Sequence, residues 1–191
     1  MLRLFIAIVP PATIRKAIAA CPQAVAGRPD GRWLGEEQLH LTLVFLGECP
    51  PEGLMDIGAA IDGVAARSHG FRVTLRGFDA FSKLRRARVA FLRVTTGVDE
   101  LCALAADLRL ALPAAFRPAE GRRFRAHLTV ARFRQAPPEG ALQRVAEAFE
   151  AGGEWSFRVD SIQLVRSELS TAGARYSTLH TARLAAPGNP L

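Results

Sequence analysis

Hydrophobic positions along this chain follow two periods, and the switches between them mark its elements. Leu2–Val9, apolar but for Arg3, is stopped by Pro10 and Pro11 and reads as a buried strand. From Ala12 to Ala26 the residues Ile14, Ala17, Ile18, Cys21 and Val25 fall at helical spacing, and Gly27 closes the helix. Gly27–Gly35 is a loop rich in Gly, Pro and Asp that carries Trp33. A strand follows over His40–Leu46, ended by Gly47 and the Pro50-Pro51 turn, and then a helix over Glu52–Ser68. Two strands, Phe71–Phe81 and Arg88–Val94, flank the basic loop 82–86. Asp99–Leu112 is a helix with Leu101, Leu104, Leu108 and Leu112 on one side. After the loop Pro113–Phe124 comes a strand over Arg125–Phe133, then Pro137-Pro138 and a helix over Glu139–Glu150. Gly152-Gly153 leads into strands at Trp155–Val165 and Tyr176–Leu184, separated by the polar loop Arg166–Arg175, and 185–191 reads as a frayed end.

The order strand, polar turn, helix, strand, strand thus occurs twice, each time starting with a similar strand. This predicts an α+β fold with an internal pseudo-duplication: two similar lobes of antiparallel sheet, outer helices, and a central cleft. No linker separates independent units, so residues 1–191 are expected to form a single two-lobed domain.

The composition is that of a globular chain, 49% hydrophobic and 23% charged. Its net charge of +7 is carried almost wholly by arginine, whose planar donor fork suits phosphate, so a nucleotide or polyanionic ligand is favoured. Cys21, Cys49 and Cys102 are odd in number and widely spaced, which fits reduced thiols and a cytoplasmic location. The apolar start is too short to span a bilayer and lacks the flanks of a signal peptide, so no membrane partner is expected.

The chemistry lies in the repeated strand. His40-Leu41-Thr42-Leu43 is echoed by His127-Leu128-Thr129-Val130, and the chain has only four histidines. Alternate strand residues share a face, so each copy sets an imidazole beside a hydroxyl, roughly 6–7 Å apart along the strand. An inward imidazole in an apolar strand is costly without a partner or a task, and here the cost is met twice. Histidine titrates nearest neutrality, so one neutral and one protonated imidazole can serve as base and acid on opposite sides of a phosphorus atom. Thr42 and Thr129 can donate to the non-bridging oxygens. The two histidines make a poor zinc set, and no phosphate-cradling glycine loop or nucleophile elbow occurs. His69 and His180 lack a Thr two residues on and are read as non-catalytic.

At these residues the chain resembles the 2H phosphoesterase superfamily, specifically the RNA 2′,3′-cyclic phosphodiesterases once named 2′-5′ RNA ligases. The likeness covers Arg3-Leu4-Phe5-Ile6-Ala7 with Pro10, Arg32-Trp33, and His40 through Glu48. It continues through Phe124 to Arg132, Leu164 to Ser167, and Tyr176. One departure is Ala126, where the family commonly has proline before the second histidine.

The resemblance implies hydrolysis of an RNA-terminal 2′,3′-cyclic phosphate to a 2′-phosphate, with no metal and no cofactor, by a monomer, and with 2′-5′ ligation as the reverse reaction. By similarity His127 activates water and His40 protonates the departing 3′ oxygen, although the near-symmetric pattern alone does not fix this direction. Arg132 corresponds to a phosphate-facing arginine of the family. Phe45 and Tyr176 are candidates to stack on a base, with a core role competing for each. Lys83, Arg85, Arg86, Arg122, Arg123 and Arg125 could form a basic rim along an RNA backbone. Two other functions compete: a phosphodiesterase for a small nucleotide, such as a cyclic phosphate or a 2′-5′ oligoadenylate, and a non-catalytic nucleotide-binding module. A binding module has no need of an acid and a base.

Overall fold

The computed structural model describes residues 1–81, 87–118, 124–138, 140–170 and 173–186. The basic-rim residues Lys83, Arg85, Arg86, Arg122 and Arg123 lie outside the described residues. Nine strands and four α-helices alternate among them: β1 (Leu2–Ile8), α1 (Ala12–Ala20), β2 (Arg32–Trp33), β3 (Leu41–Cys49), α2 (Leu54–Ala65), β4 (Phe71–Ala80) and β5 (Val89–Thr96), then α3 (Val98–Ala111), β6 (His127–Arg132), α4 (Gln143–Ala151), β7 (Trp155–Val159), β8 (Ser161–Ser170) and β9 (Gly173–Arg183). No helix among them is long and apolar enough to cross a membrane.

The fold is α+β, with two antiparallel sheets ordered β3-β1-β8-β9 and β2-β6-β5-β4-β7. Setting aside β2, the sheets correspond strand for strand: β3 to β6, β1 to β5, β8 to β4, β9 to β7. The expected duplication is therefore spatial, yet neither sheet is one contiguous half of the chain. The second sheet takes β4 and β5 from the first half, and the first sheet recovers β8 and β9 from the end.

Several expected boundaries move. The single strand read over Trp155–Val165 is broken at Asp160, where the chain passes from one sheet to the other. The buried positions Trp155, Phe157 and Val159 give way to Ile162 and Leu164, a slip in the period of two that places the break. Of the polar loop read over Arg166–Arg175, residues 166–170 and 173–175 are paired strand, with Arg166 opposite Ser177 and Ser170 opposite Gly173. Glu168 and Leu169 are exposed there and leave no apolar alternation to read. The loop holding Trp33 contains β2, which pairs Trp33 with Ala131 of β6.

Each sheet turns one face to the main core. In β1 these residues are Leu4, Ile6 and Ile8; in β5 they are Ala90, Leu92 and Val94. The opposite face of β1 carries Phe5 and Ala7, which form a small separate cluster with Val165 and Tyr176. In β5 the matching residue is Phe91, buried yet apart from the main core. These second faces position the site.

Candidate active site

His40 stands immediately before β3 and His127 opens β6. The two strands belong to different sheets and approach within 8 Å of one another, Cα to Cα. Each imidazole rests on the aromatic residue of its sheet's second face. His40 stacks on Phe5 with ring centroids 4.7 Å apart and meets the edge of Tyr176 at 5.2 Å. His127 packs edge-on against Phe91 at 5.4 Å and Phe81 at 5.0 Å.

The backbone anchors both rings in the same way. Nδ1 of His40 lies 2.8 Å from the Gln38 carbonyl oxygen, and Nδ1 of His127 lies 2.7 Å from that of Arg125. A carbonyl only accepts, so each Nδ1 carries the proton and donates it, and each Nε2 is left as the atom that can take or give a proton. In His40 that Nε2 lies 3.0 Å from Thr42 Oγ1, so the threonine hydroxyl donates to it while the ring is neutral.

Electrostatics ties the two rings together. Burial pushes the His40 pKa down to about 4; the Gln38 hydrogen bond opposes this, while Arg132 and His127 add to it. Burial also lowers the His127 pKa, with Arg125 and Arg132 adding to the effect and the Arg125 carbonyl opposing it. Arg132 thus acts on both imidazoles, and the ligand-free site favours two neutral rings. A negative charge beside either ring would oppose these effects and favour its charged form.

The other expected residues divide. Tyr176 lies at His40, in a pocket of about 240 Å³ shared with Phe5, Gln163, Val165 and Thr178. Phe45 is 48% exposed with the Arg3 guanidinium 5.1 Å from its ring centroid, so it is not the core residue that its type suggests. Thr129 is half-buried two residues beyond His127, and Arg132 is exposed at the end of β6. Arg125 places its guanidinium 5.1 Å from the ring centroids of both Phe81 and Phe91, beside His127. His180 is bonded to Asp62 of α2 at 2.8 Å, and His69 to the Ala186 carbonyl at 3.1 Å, both away from the paired rings.

Sequence reading missed Phe5, Phe81 and Phe91 as the supports of the imidazoles. A signal for Phe5 was present, since a strand apolar on both faces must cover something on each. The carbonyls of Gln38 and Arg125 left no side-chain signal at all.

The sequence profile of the 2′-5′ RNA ligase superfamily matches residues 10–171. The RNA 2′,3′-cyclic phosphodiesterase of Thermus thermophilus is 36% identical over 192 aligned positions, covering 93% of this chain and 88% of the relative. That of Aeropyrum pernix is 32% identical over 154 positions, covering 80% and 86%. Among solved structures, Escherichia coli LigT complexed with 3′-AMP superposes with a TM-score of 0.74 at 28% identity, covering 96% of this chain and 98% of that one. A profile match across most of the chain, and identity above 30% over nearly all of it, agree with the twin-sheet fold: the chain belongs to the 2′-5′ RNA ligase superfamily.

Proposed function

We propose that this protein hydrolyses RNA-terminal 2′,3′-cyclic phosphates to 2′-phosphates, with His40 and His127 as the acid–base pair and no metal ion. The observation that carries this reading is the matched pair of Nδ1–carbonyl anchors, which leaves two Nε2 atoms as the proton-handling groups on neighbouring strands. The curated relatives, named as RNA 2′,3′-cyclic phosphodiesterases, support the substrate class.

Water attacks phosphorus while Nε2 of His127 takes its proton. The bond from phosphorus to O3′ breaks, and Nε2–H of His40 delivers a proton to the departing oxygen, leaving the phosphate on O2′. His40 must therefore be charged when the substrate is bound, and the anionic phosphate supplies the field that charges it. Once Nε2 is protonated it no longer accepts, so the Thr42 hydroxyl is released to donate to a non-bridging oxygen, with Thr129 on the other strand. Arg132 neutralises the phosphate, and Tyr176 and Phe45 offer faces for the terminal base. With a ribose 5′-hydroxyl in place of water, the same attack on phosphorus and release of O3′ make a 2′-5′ linkage. Hydrolysis dominates because water is in vast excess.

A second reading, a phosphodiesterase for a small nucleotide, is favoured by the crystallisation of the E. coli relative with NADP+ and with ATP. One experiment tests the main reading: an oligoribonucleotide ending in 2′,3′-cyclic phosphate, incubated with EDTA, should yield the 2′-phosphate alone. A 3′-phosphate product, or turnover abolished by EDTA and restored by a divalent ion, would overturn it.

A further inference from the structure

A second concave surface adjoins the site and, apart from Arg132, takes no part in the chemistry above. It is a groove of about 760 Å³ where the loop around Gly31 faces the end of β6, and it contains neither histidine. Four arginines line it, Arg28, Arg32, Arg132 and Arg134, and Asp30 is the one carboxylate among its described lining residues. It joins the site at Arg132, whose charge reaches both imidazoles.

Three features of this groove are costly to the protein alone. Arg32 and Arg132 sit directly opposite each other on paired strands, and like charges so placed repel. Arg28 Nη1 is buried and has no hydrogen-bond partner among the described residues, while its guanidinium carbon lies 5.8 Å from the Trp33 ring centroid. The loop between these arginines lies flush on β6 only because residue 31 is glycine: a β-carbon there would sit 2.4 Å from the Phe133 ring. One kind of ligand relieves the first two costs together, a chain of negative charges with exposed acceptor oxygens.

We infer that this groove is the track for the phosphodiester backbone on the 5′ side of the reacting end, so that the protein is built for RNA chains rather than free mononucleotides. The inference rests on the proposed function and adds its substrate length. A cyclic mononucleotide brings one phosphate, which the histidines occupy; each further nucleotide brings a phosphate for Arg28, Arg32 and Arg134.

The test compares adenosine 2′,3′-cyclic phosphate with a pentaribonucleotide bearing the same cyclic end, on wild-type protein and on Arg28→Gln and Arg134→Gln. Each substitution should raise KM for the pentamer about tenfold, the loss of a charge-assisted hydrogen bond, and leave kcat unchanged. The dependence of log KM on log salt should flatten by ~0.7 for each arginine removed. Parameters on the mononucleotide should hold. An unchanged pentamer KM, or equal losses on both substrates, would overturn the inference. So would variants that escape inhibition by inorganic tripolyphosphate while pentamer KM stays put, since the groove would then serve a free polyphosphate. If wild-type protein cleaves neither substrate, the reading of the histidines fails separately. The groove is then judged by direct binding of a 3′-phosphorylated pentamer, which must be salt-sensitive and weakened by Arg28→Gln.

Discussion

Filling the site with an anion should raise the pKa of His40 from about 4 to near neutrality. The low starting value comes first from burial, reinforced by Arg132 and His127. To be half charged at pH 7 the ring needs a rise of ~3 in pKa, which is ~4 kcal/mol of differential interaction. A unit negative charge at ~4 Å supplies ~4 kcal/mol at the effective dielectric of ~20 that suits partly buried sites, so one phosphate oxyanion beside Nε2 is sufficient. The assay is an NMR titration of imidazole nitrogens in isotope-labelled protein, without ligand and saturated with sulfate, which does not itself titrate in this range. Nε2 of His40 should take up its proton near neutral pH only in the sulfate complex. A His40 resonance that still titrates below pH 5 while His127 rises would exchange the roles of acid and base. If neither ring moves, no anion lies between them, and the proposed chemistry is refuted.

His40→Ala and His127→Ala should each cost ~10²–10⁴ in kcat without loss of thermal stability at pH 7, and the two losses should not add. Thr42→Ala and Thr129→Ala should cost less, and both histidine variants should still bind an uncleavable 2′-phosphorylated RNA end. Binding and folding lost together would mark the histidines as structural. Ligand-free protein should become less stable as pH falls from 6.5 to about 4, because the unfolded chain protonates His40 there more readily than the folded one does. The loss is at most ~3 kcal/mol and levels off below the folded pKa, and His40→Gln should flatten that part of the curve. Urea midpoints at a series of pH values measure it, and equal slopes for variant and wild type would contradict the assignment.

The motif strands, the helices and the twin-sheet class were legible because buried apolar residues repeat at the period of the element that holds them. The His-x-Thr pairs stood out because polar residues in such strands need a reason. What escaped was decided by atoms without a side-chain signature or by contacts distant in sequence. The imidazoles hang on the backbone carbonyls of Gln38 and Arg125. Phe5 looked like one more core residue of β1 until β8 and β9 made its side of the sheet a separate surface. Arg28 and Arg134 were lost among many arginines, because only the pairing of β2 with β6 brings that loop to the site.

The passage of the chain between sheets at Asp160 has a consequence for biosynthesis. Strand β1 leaves the ribosome before the whole second sheet, yet its inner neighbour β8 is made only after that sheet is complete. At ~5–20 residues per second, the sheet of β4, β5, β6 and β7 can assemble while β1 and β3 have only each other. A two-stranded ribbon is marginal in water, and the waiting edge of β1 is a template for pairing with the wrong chain. A nascent chain released after Val159 would carry both His-Leu-Thr motifs but lack Val165 and Tyr176, which complete the surface under His40. Such a fragment is an aggregation hazard instead of a slow enzyme, and the closing hairpin is the step at which a synthesised chain becomes a competent one.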